Sequence, residues 1–179
     1  MYQVIRASPF GLFQMSSSRA TPGVRGQRHR RSLTLREYIK RRNGVPLGAP
    51  GSLRNMLHRS LGAGSFAGFW RYWNPVFGYA LARYVQTPLL RVVPPSVAII
   101  VTFAACGAGH DLVTMAVRGS PTFLFTPWFV LLGLGVVLGR AVGMDLSSRP
   151  WFIRVLANLT YIVVCLVLTL AARRILAIP

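Results

Sequence analysis

An all-α membrane protein is the fold class that this sequence predicts, with about three transmembrane helices, interfacial amphipathic helices and a disordered basic N-terminus. Hydrophobic residues make up 53% of the 179 residues, and the mean hydropathy is +0.45. Only 13% of the residues are charged, a balance typical of membrane proteins. Three late apolar segments each approach the roughly 20 residues that a helix needs to cross a bilayer.

The chain divides into a basic, mostly disordered region, 1–50, and a membrane domain, 51–179. The first region is rich in Gly, Pro, Ser and Arg, with too few apolar residues to bury a core. Its segment 32–42 is an exception, because the apolar residues share one face, as in a basic interfacial helix. The Arg-rich, acid-poor start is also typical of an organellar segment that is cleaved.

A second surface helix is predicted in SLRNMLHRSL, with Ser52 as its N-cap. The apolar residues follow i, i+3, i+4, i+8 spacing, and the basic residues avoid that stripe. The aromatic stretch GFWRYWNPVFGY comes next. Its Tyr and Trp side chains are typical of the headgroup depth of a membrane, so this stretch is expected at the interface.

Three segments are predicted to span the membrane: 97–117, 122–139 and 152–172. Segment 76–93 contains Arg, Gln and Pro and is interpreted as tilted or re-entrant. Counting it as a span would place four arginines on the side opposite the basic N-terminus. The positive-inside rule therefore predicts a multi-pass protein whose N-terminus is cytoplasmic.

Charge and acid content limit the partners and the chemistry. A pI near 11.8 is compatible with nucleic-acid binding. The basic block stands directly before apolar segments, however. Lys and Arg in that position bind anionic lipid headgroups, so we predict membrane lipids as partners and no nucleic acid. Only Glu37, Asp111 and Asp145 are acidic, and Cys106 and Cys165 lack CxxC spacing. We therefore predict no metal site and no cofactor.

The apolar run TFAACGAGHDL contains His110 and Asp111, although a charged carboxylate inside a membrane helix costs about 2.5 to 3.5 kcal/mol. Such residues must face protein, water or a ligand. Helical steps of four place Cys106, His110 and Thr114 in one polar column, and Gly107 leaves room beside the imidazole. The run is therefore the first candidate for a functional site.

Asp111 points about 100° away from His110, so a direct His–Asp dyad is not expected. Its expected environment is an ion pair with Arg118 or Arg140, or a water-filled opening. The pattern also has a purely structural interpretation. In that interpretation His110 hydrogen-bonds to the backbone of a neighbouring helix, and the aromatic stretch is only an interfacial anchor.

Taken together, FWRYWNP with Asn74 and TFAACGAGHDL with His110 resemble the C-terminal signature of the membrane-bound O-acyltransferase (MBOAT) family. The sterol, diacylglycerol and wax-ester branches of that family carry a Trp-Asn dipeptide and then a membrane-embedded histidine. His110 follows Asn74 by 36 positions, which suits the family. The resemblance covers about residues 52–172.

The resemblance implies an O-acyltransferase of lipid metabolism, which moves an acyl group from acyl-CoA or another thioester to a hydroxyl of a lipid or other acceptor. His110 would be the general base. Asn74 would orient the acceptor or donate to the carbonyl oxygen as it becomes an oxyanion. The residues expected to bind the substrate are Trp70, Trp73, Cys106, Gly107 and Thr114.

The alternative is a non-catalytic membrane subunit or scaffold that packs against a larger membrane partner. Three spans are few for enclosing a lipid-sized tunnel, so we expect a homo-oligomer or a membrane-protein partner. An enzyme that is incomplete without such a partner would satisfy both interpretations. The sequence alone leaves the choice between them open.

Overall fold

The computed structural model describes residues 33–120 and 123–176, and these residues form helices joined by turns, with no strand among them. A π-helical segment, Ala82–Gln86, lies between the fourth and fifth helices. The eight α-helices are α1 (Leu35–Asn43), α2 (Ser52–Leu61), α3 (Phe66–Tyr72), α4 (Pro75–Leu81), α5 (Thr87–Leu89), α6 (Pro95–Arg118), α7 (Phe125–Ala141) and α8 (Trp151–Ile175).

Two of these helices, α6 with 24 residues and α8 with 25, are long and apolar enough to cross a membrane. The third predicted span corresponds to α7, an apolar helix of 17 residues that is shorter than the other two. Its predicted first residue, Thr122, lies outside the described residues. The prediction of an all-α membrane protein is confirmed.

The helix predicted within the basic region is present as α1. Thr34 and Glu37 form a capping box at its start, with the Thr34 backbone N–H donating to Glu37 Oε2 at 2.8 Å. Tyr38 is buried, and its ring meets that of Tyr79 from α4 with 5.4 Å between centroids. The folded part therefore begins before the predicted domain boundary. The disorder predicted for residues 1–32 concerns residues outside the described range.

The predicted N-cap of α2 differs in the structure. Gly51 occupies the N-cap position with a φ of 78°, a left-handed conformation that costs glycine no steric clash. Ser52 is the first helical residue. Its hydroxyl accepts a hydrogen bond from Asn43 Nδ2 at 2.7 Å, so it joins the end of α1 to the start of α2.

The interrupted segment 76–93 is helical only as far as Leu89, and therefore falls short of spanning length. Pro88 has no backbone N–H and cannot continue the α-helical hydrogen-bond ladder. Just before it, the Thr87 hydroxyl donates to the carbonyl oxygen of Ala82, five residues earlier, at 2.7 Å. The backbone is widened into a π-helical segment at the same place.

α6 and α7 form the closest helix pair of the fold, and they run antiparallel. A Cβ on Gly107 would lie 2.6 Å from the carbonyl oxygen of Phe125, and one on Gly133 would lie 3.0 Å from Phe103 Cβ. These two glycines therefore allow the backbones to approach more closely than any side chain would permit. The buried core of the protein lies along this pair.

Asp111 fixes the pair from the α6 side. Its carboxylate accepts hydrogen bonds from the backbone N–H groups of residues 124–126, at 2.8 to 3.1 Å, and from the Thr126 hydroxyl at 2.6 Å. It therefore caps the N-terminus of α7, where a negative charge is also favoured by the helix dipole. The expected pairing with Arg118 or Arg140 is wrong.

α8 is held near its start and at its middle, where the Trp128 indole N–H donates to the carbonyl oxygen of Ile162 at 3.2 Å. The side-chain amide of Asn158 donates to the carbonyl oxygens of Leu61 and Ala63, both at 3.0 Å, and Trp151 stacks on His58 with 5.3 Å between ring centroids. Only 17% of its most apolar stretch is buried in the protein, against 39% for α6. The remaining apolar side chains point outwards, as expected of a helix that faces lipid or another protein.

Candidate functional site

Five of the seven predicted site residues line a single cavity of about 630 Å³. It lies between α3, α4, α6 and α7, with α2 and α8 at its edges. Its walls are almost entirely apolar and largely aromatic. We call it the aromatic cavity, and the predicted residues that line it are Trp70, Trp73, Asn74, Cys106 and His110.

The His110 ring lies next to the rings of Phe77, Phe125 and Phe129, which we call the phenylalanine collar. The centroids of Phe125 and Phe129 are each 5.3 Å from that of the imidazole, and the centroid of Phe77 is 6.3 Å away. No described residue hydrogen-bonds to the imidazole; the Thr114 hydroxyl donates to the His110 backbone carbonyl at 2.9 Å. The side chain is also exposed. Its ring nitrogens are therefore accessible to water or to a ligand.

Asn74 has a local structural role that the sequence motif partly explains. With a φ of 39°, it is the one described residue other than glycine in the left-handed region, which asparagine tolerates better than most residues. Its Oδ1 accepts from the Phe77 backbone N–H at 3.3 Å, which caps α4, and Pro75 is the first helical residue. The side-chain amide nitrogen has no partner in the described part of the chain.

The aromatic residues around Asn74 anchor α3 in the protein. The Trp70 ring is perpendicular to that of Phe103 on α6, with 5.1 Å between centroids, and it also contacts Phe129 on α7. Trp73 stacks on Phe69 at 5.4 Å. These contacts place Trp70 and Trp73 in the wall of the aromatic cavity and bring the turn at Asn74 to its edge.

Cys106 is buried in the core and reaches the aromatic cavity, whereas the other two predicted residues do not line it. Gly107 faces the backbone of Phe125 and Thr126, where its lack of a side chain permits close helix packing. Thr114 borders a separate, smaller cavity of about 360 Å³ near the end of α6. Gly107 therefore serves helix packing, and Thr114 lies outside the aromatic cavity.

The phenylalanine collar was not predicted from the sequence. Phe125 and Phe129 are four residues apart and therefore share one face of α7. This spacing is visible in the sequence, but α7 is apolar on nearly every side. Hydrophobic periodicity therefore cannot indicate which face meets His110.

The arrangement can hold an apolar chain beside one imidazole and one amide. Ligand pockets are commonly about 300 to 1,000 Å³, apolar, and equipped with a few polar groups, as here. Asp111 is committed to the cap of α7 and does not orient the imidazole. In the described ranges, 33–120 and 123–176, no group of three potential metal-ligating side chains is present.

No protein-family model matches the chain, and no curated protein or solved structure matches it either. The resemblance to the MBOAT family therefore rests on the residues quoted above and their spacing. The acyltransferase activity that the resemblance implies is a prediction to be tested by experiment.

Proposed function

We propose that this chain is an integral, multi-pass membrane protein of the acyltransferase type, with a cytoplasmic N-terminus. Its reaction would move an acyl group from a thioester such as acyl-CoA to a hydroxyl of a lipid or other acceptor. The observation that supports this most is that Asn74 and His110, distant in sequence, line the same apolar cavity. A cavity of about 630 Å³ also suits the apolar chain of such a donor.

In this reaction His110 takes the proton of the acceptor hydroxyl as the oxygen forms a bond to the thioester carbonyl carbon. The carbonyl oxygen becomes an oxyanion, and the amide N–H of Asn74 donates to it. The tetrahedral intermediate then breaks its carbon–sulfur bond. The leaving sulfur receives the proton from His110, so the products are an ester and a free thiol.

The test compares the wild type with His110→Ala in membranes, with acylated lipids and glycans measured by mass spectrometry at matched protein levels. General-base removal is expected to lower product formation about 10²- to 10⁴-fold. His58→Ala is the control, because His58 is an exposed histidine stacked on Trp151 and does not line the aromatic cavity. Product formation that persists in His110→Ala would refute the role of the base.

A non-catalytic membrane subunit is the second candidate, and the outward apolar face of α8 favours it. A row of exposed side chains follows the helix on one side and offers a surface to another membrane protein or a second copy. The row includes Leu156, Leu159, Val163, Val167 and Leu170. This candidate predicts stable co-purification with a larger membrane protein, and isolation of an active chain without any partner would contradict it.

A further inference from the structure

Another small cavity, of about 330 Å³, lies between the ends of α2 and α3 and the first turn of α8. Two arginines from different helices line it, Arg59 of α2 and Arg154 of α8, so we call it the Arg59–Arg154 cavity. Tyr72, the last residue of α3, also lines it. The cavity shares no lining residue with the aromatic cavity and is therefore a separate site.

The indole of Trp151 forms a fixed part of the wall. Its N–H donates to the His58 carbonyl oxygen at 3.2 Å, and its ring stacks on the His58 imidazole. A Cβ on Gly62 would clash with this indole, so glycine is needed there for the indole to lie against α2. These contacts hold the start of α8 against the end of α2. They therefore fix the spacing of the two helices that carry Arg59 and Arg154.

Arg154 is half-buried and has no hydrogen-bond or ion-pair partner among the described residues. Its Nε is shielded from solvent, so water does not satisfy that donor either. Donors without a partner in a partly buried guanidinium raise the free energy of the folded state. The Nη groups are not shielded in this way, and an anion that binds them would offset the cost.

Arg59 can contribute further donors. Its Nη1 donates to the carbonyl oxygen of Arg42 at 3.1 Å, and it makes no other hydrogen bond in the described part of the chain. A guanidinium has five N–H donors, so several remain for a ligand. The Tyr72 hydroxyl also lacks a hydrogen bond to any described residue. Two planar guanidinium forks and a hydroxyl are donors that suit the oxygens of a phosphate group.

The acidic residues of the chain are engaged elsewhere. There are three of them: Glu37 caps α1, Asp111 caps α7, and Asp145 accepts a hydrogen bond from the Ser147 backbone N–H at 2.8 Å. None of the three is among the described residues that line the Arg59–Arg154 cavity. A negative charge at this cavity must therefore come from a ligand.

The cavity also lies at a depth where phospholipid headgroups occur. α8 is long enough to cross a membrane, and its first residue, Trp151, is 41% exposed, as is common for tryptophan at the membrane interface. In the topology proposed above, the N-terminus is cytoplasmic and α6 and α7 form a hairpin across the membrane. α8 then begins on the cytoplasmic side, where membranes carry anionic lipids.

We propose that the Arg59–Arg154 cavity binds a phosphate group through Arg59, Arg154 and Tyr72. The phosphate belongs to an anionic phospholipid headgroup or to a soluble phosphate, and the experiment below distinguishes these two sources. This site is independent of the acyl-transfer reaction proposed above, because no residue of the aromatic cavity takes part in it.

The experiment uses the purified full chain in a non-ionic detergent. It measures the thermal unfolding midpoint as each of two probes is added, inorganic phosphate and dioleoyl phosphatidic acid. Dioleoylglycerol, which has the same acyl chains without the phosphate, is the lipid control. The test variant is Arg59→Gln with Arg154→Gln. The matched variant, Arg54→Gln with Arg174→Gln, removes one exposed arginine from each of the same two helices, outside the cavity.

At least one phosphate probe is expected to raise the unfolding midpoint of the wild type. Binding should be at least tenfold weaker in the Arg59/Arg154 variant, because two charged donors are lost, and unchanged in the matched variant. A response to both probes identifies phosphate itself as sufficient. A response to phosphatidic acid alone identifies the lipid headgroup, and a response to inorganic phosphate alone identifies a soluble phosphate.

Four results would overturn the proposal: wild-type binding in the Arg59/Arg154 variant, equal loss in the matched variant, an equal response to dioleoylglycerol, or no response to either phosphate probe. If the double glutamine variant does not fold, Arg154→Lys keeps the charge but loses the planar fork, and severalfold weaker binding is expected. Wild-type binding by Arg154→Lys would then overturn the proposal. His110→Ala should keep full phosphate binding, so a failure of the acyl-transfer proposal can be distinguished from a failure of this one.

Discussion

The aromatic cavity and a second cavity of about 650 Å³, which we call the arginine cavity because Arg71 and Arg140 line it, share two walls, α3 and α7, yet differ in chemistry. One surrounds a single imidazole with aromatic rings, and the other has two arginines, Arg71 and Arg140, in its lining. The difference arises because neighbouring residues of a helix point about 100° apart. Trp70 therefore faces one cavity and Arg71, the next residue, faces the other. The stretch FWRYWN thus contains two interleaved patterns, one for each side of α3.

The two cavities also depend on different ends of α7. The collar residues Phe125 and Phe129 lie in the N-terminal half of α7, which Asp111 caps. Arg140 lies at the other end, next to the loop that bonds to Gly64. Substitutions near either end should therefore affect one cavity more than the other, and this expectation can be tested.

The largest effect is expected from Asp111→Ala. It leaves three backbone N–H groups and the Thr126 hydroxyl without their acceptor, which should cost about 3 kcal/mol or more of unfolding free energy. Thermal or denaturant unfolding followed by tryptophan fluorescence measures this cost. Asp111→Asn keeps one acceptor oxygen and should lose less. Wild-type stability in Asp111→Ala would show that the cap does not hold the aromatic cavity together.

The next effect compares two glycines of α6. Gly107→Ala places a methyl group 2.6 Å from a backbone oxygen of α7 and should destabilise the protein by about 1 to 3 kcal/mol. Gly109→Ala meets no atom within 4 Å and should be neutral, or stabilising by up to about 1 kcal/mol, because alanine favours helix. Melting midpoints of the two variants test the difference. Equal midpoints would contradict the close packing assigned to Gly107.

A smaller effect separates the two roles of Asn74. Asn74→Ala loses the cap and the left-handed preference, at about 1 to 2 kcal/mol. Asn74→Asp keeps an acceptor for the cap but removes the amide N–H donor. It should therefore stay close to wild type in melting midpoint and lose acyl transfer measured by mass spectrometry. Full activity in the aspartate variant would remove the oxyanion role and leave Asn74 as a structural residue only.

Much of the fold could be predicted because it depends on patterns that are local in sequence. Length and hydropathy identified α6 and α8, and apolar spacing with basic residues on the other face identified α1 and α2. The role of Asp111 could not be predicted in this way. Capping rules consider acceptors within about three residues of a helix start, whereas Asp111 is 13 to 15 residues from the groups that it caps.

For the site, sequence reasoning brought the correct chain segments together but did not identify every wall. Trp70, Asn74 and His110 meet in the aromatic cavity, as the motif spacing suggested. Gly107 faces the backbone of α7 and not the aromatic cavity. The sequence could not distinguish these two outcomes, because a glycine in an apolar helix permits close helix packing and ligand approach equally well. Arg71 and Arg140 line one cavity because of how α3 lies against α7, which no local sequence pattern encodes.

The cap that Asp111 provides also bears on biosynthesis. Its acceptor and donors are separated by so few residues that little chain entropy is lost when they meet. We therefore expect the hairpin of α6 and α7 to close on the nascent chain before α8 has been synthesised. α8 would dock last, through Asn158 and two carbonyls that lie 95 and 97 residues upstream. Until α8 docks, the turn between α2 and α3 presents those carbonyls to any other helix that is being inserted nearby.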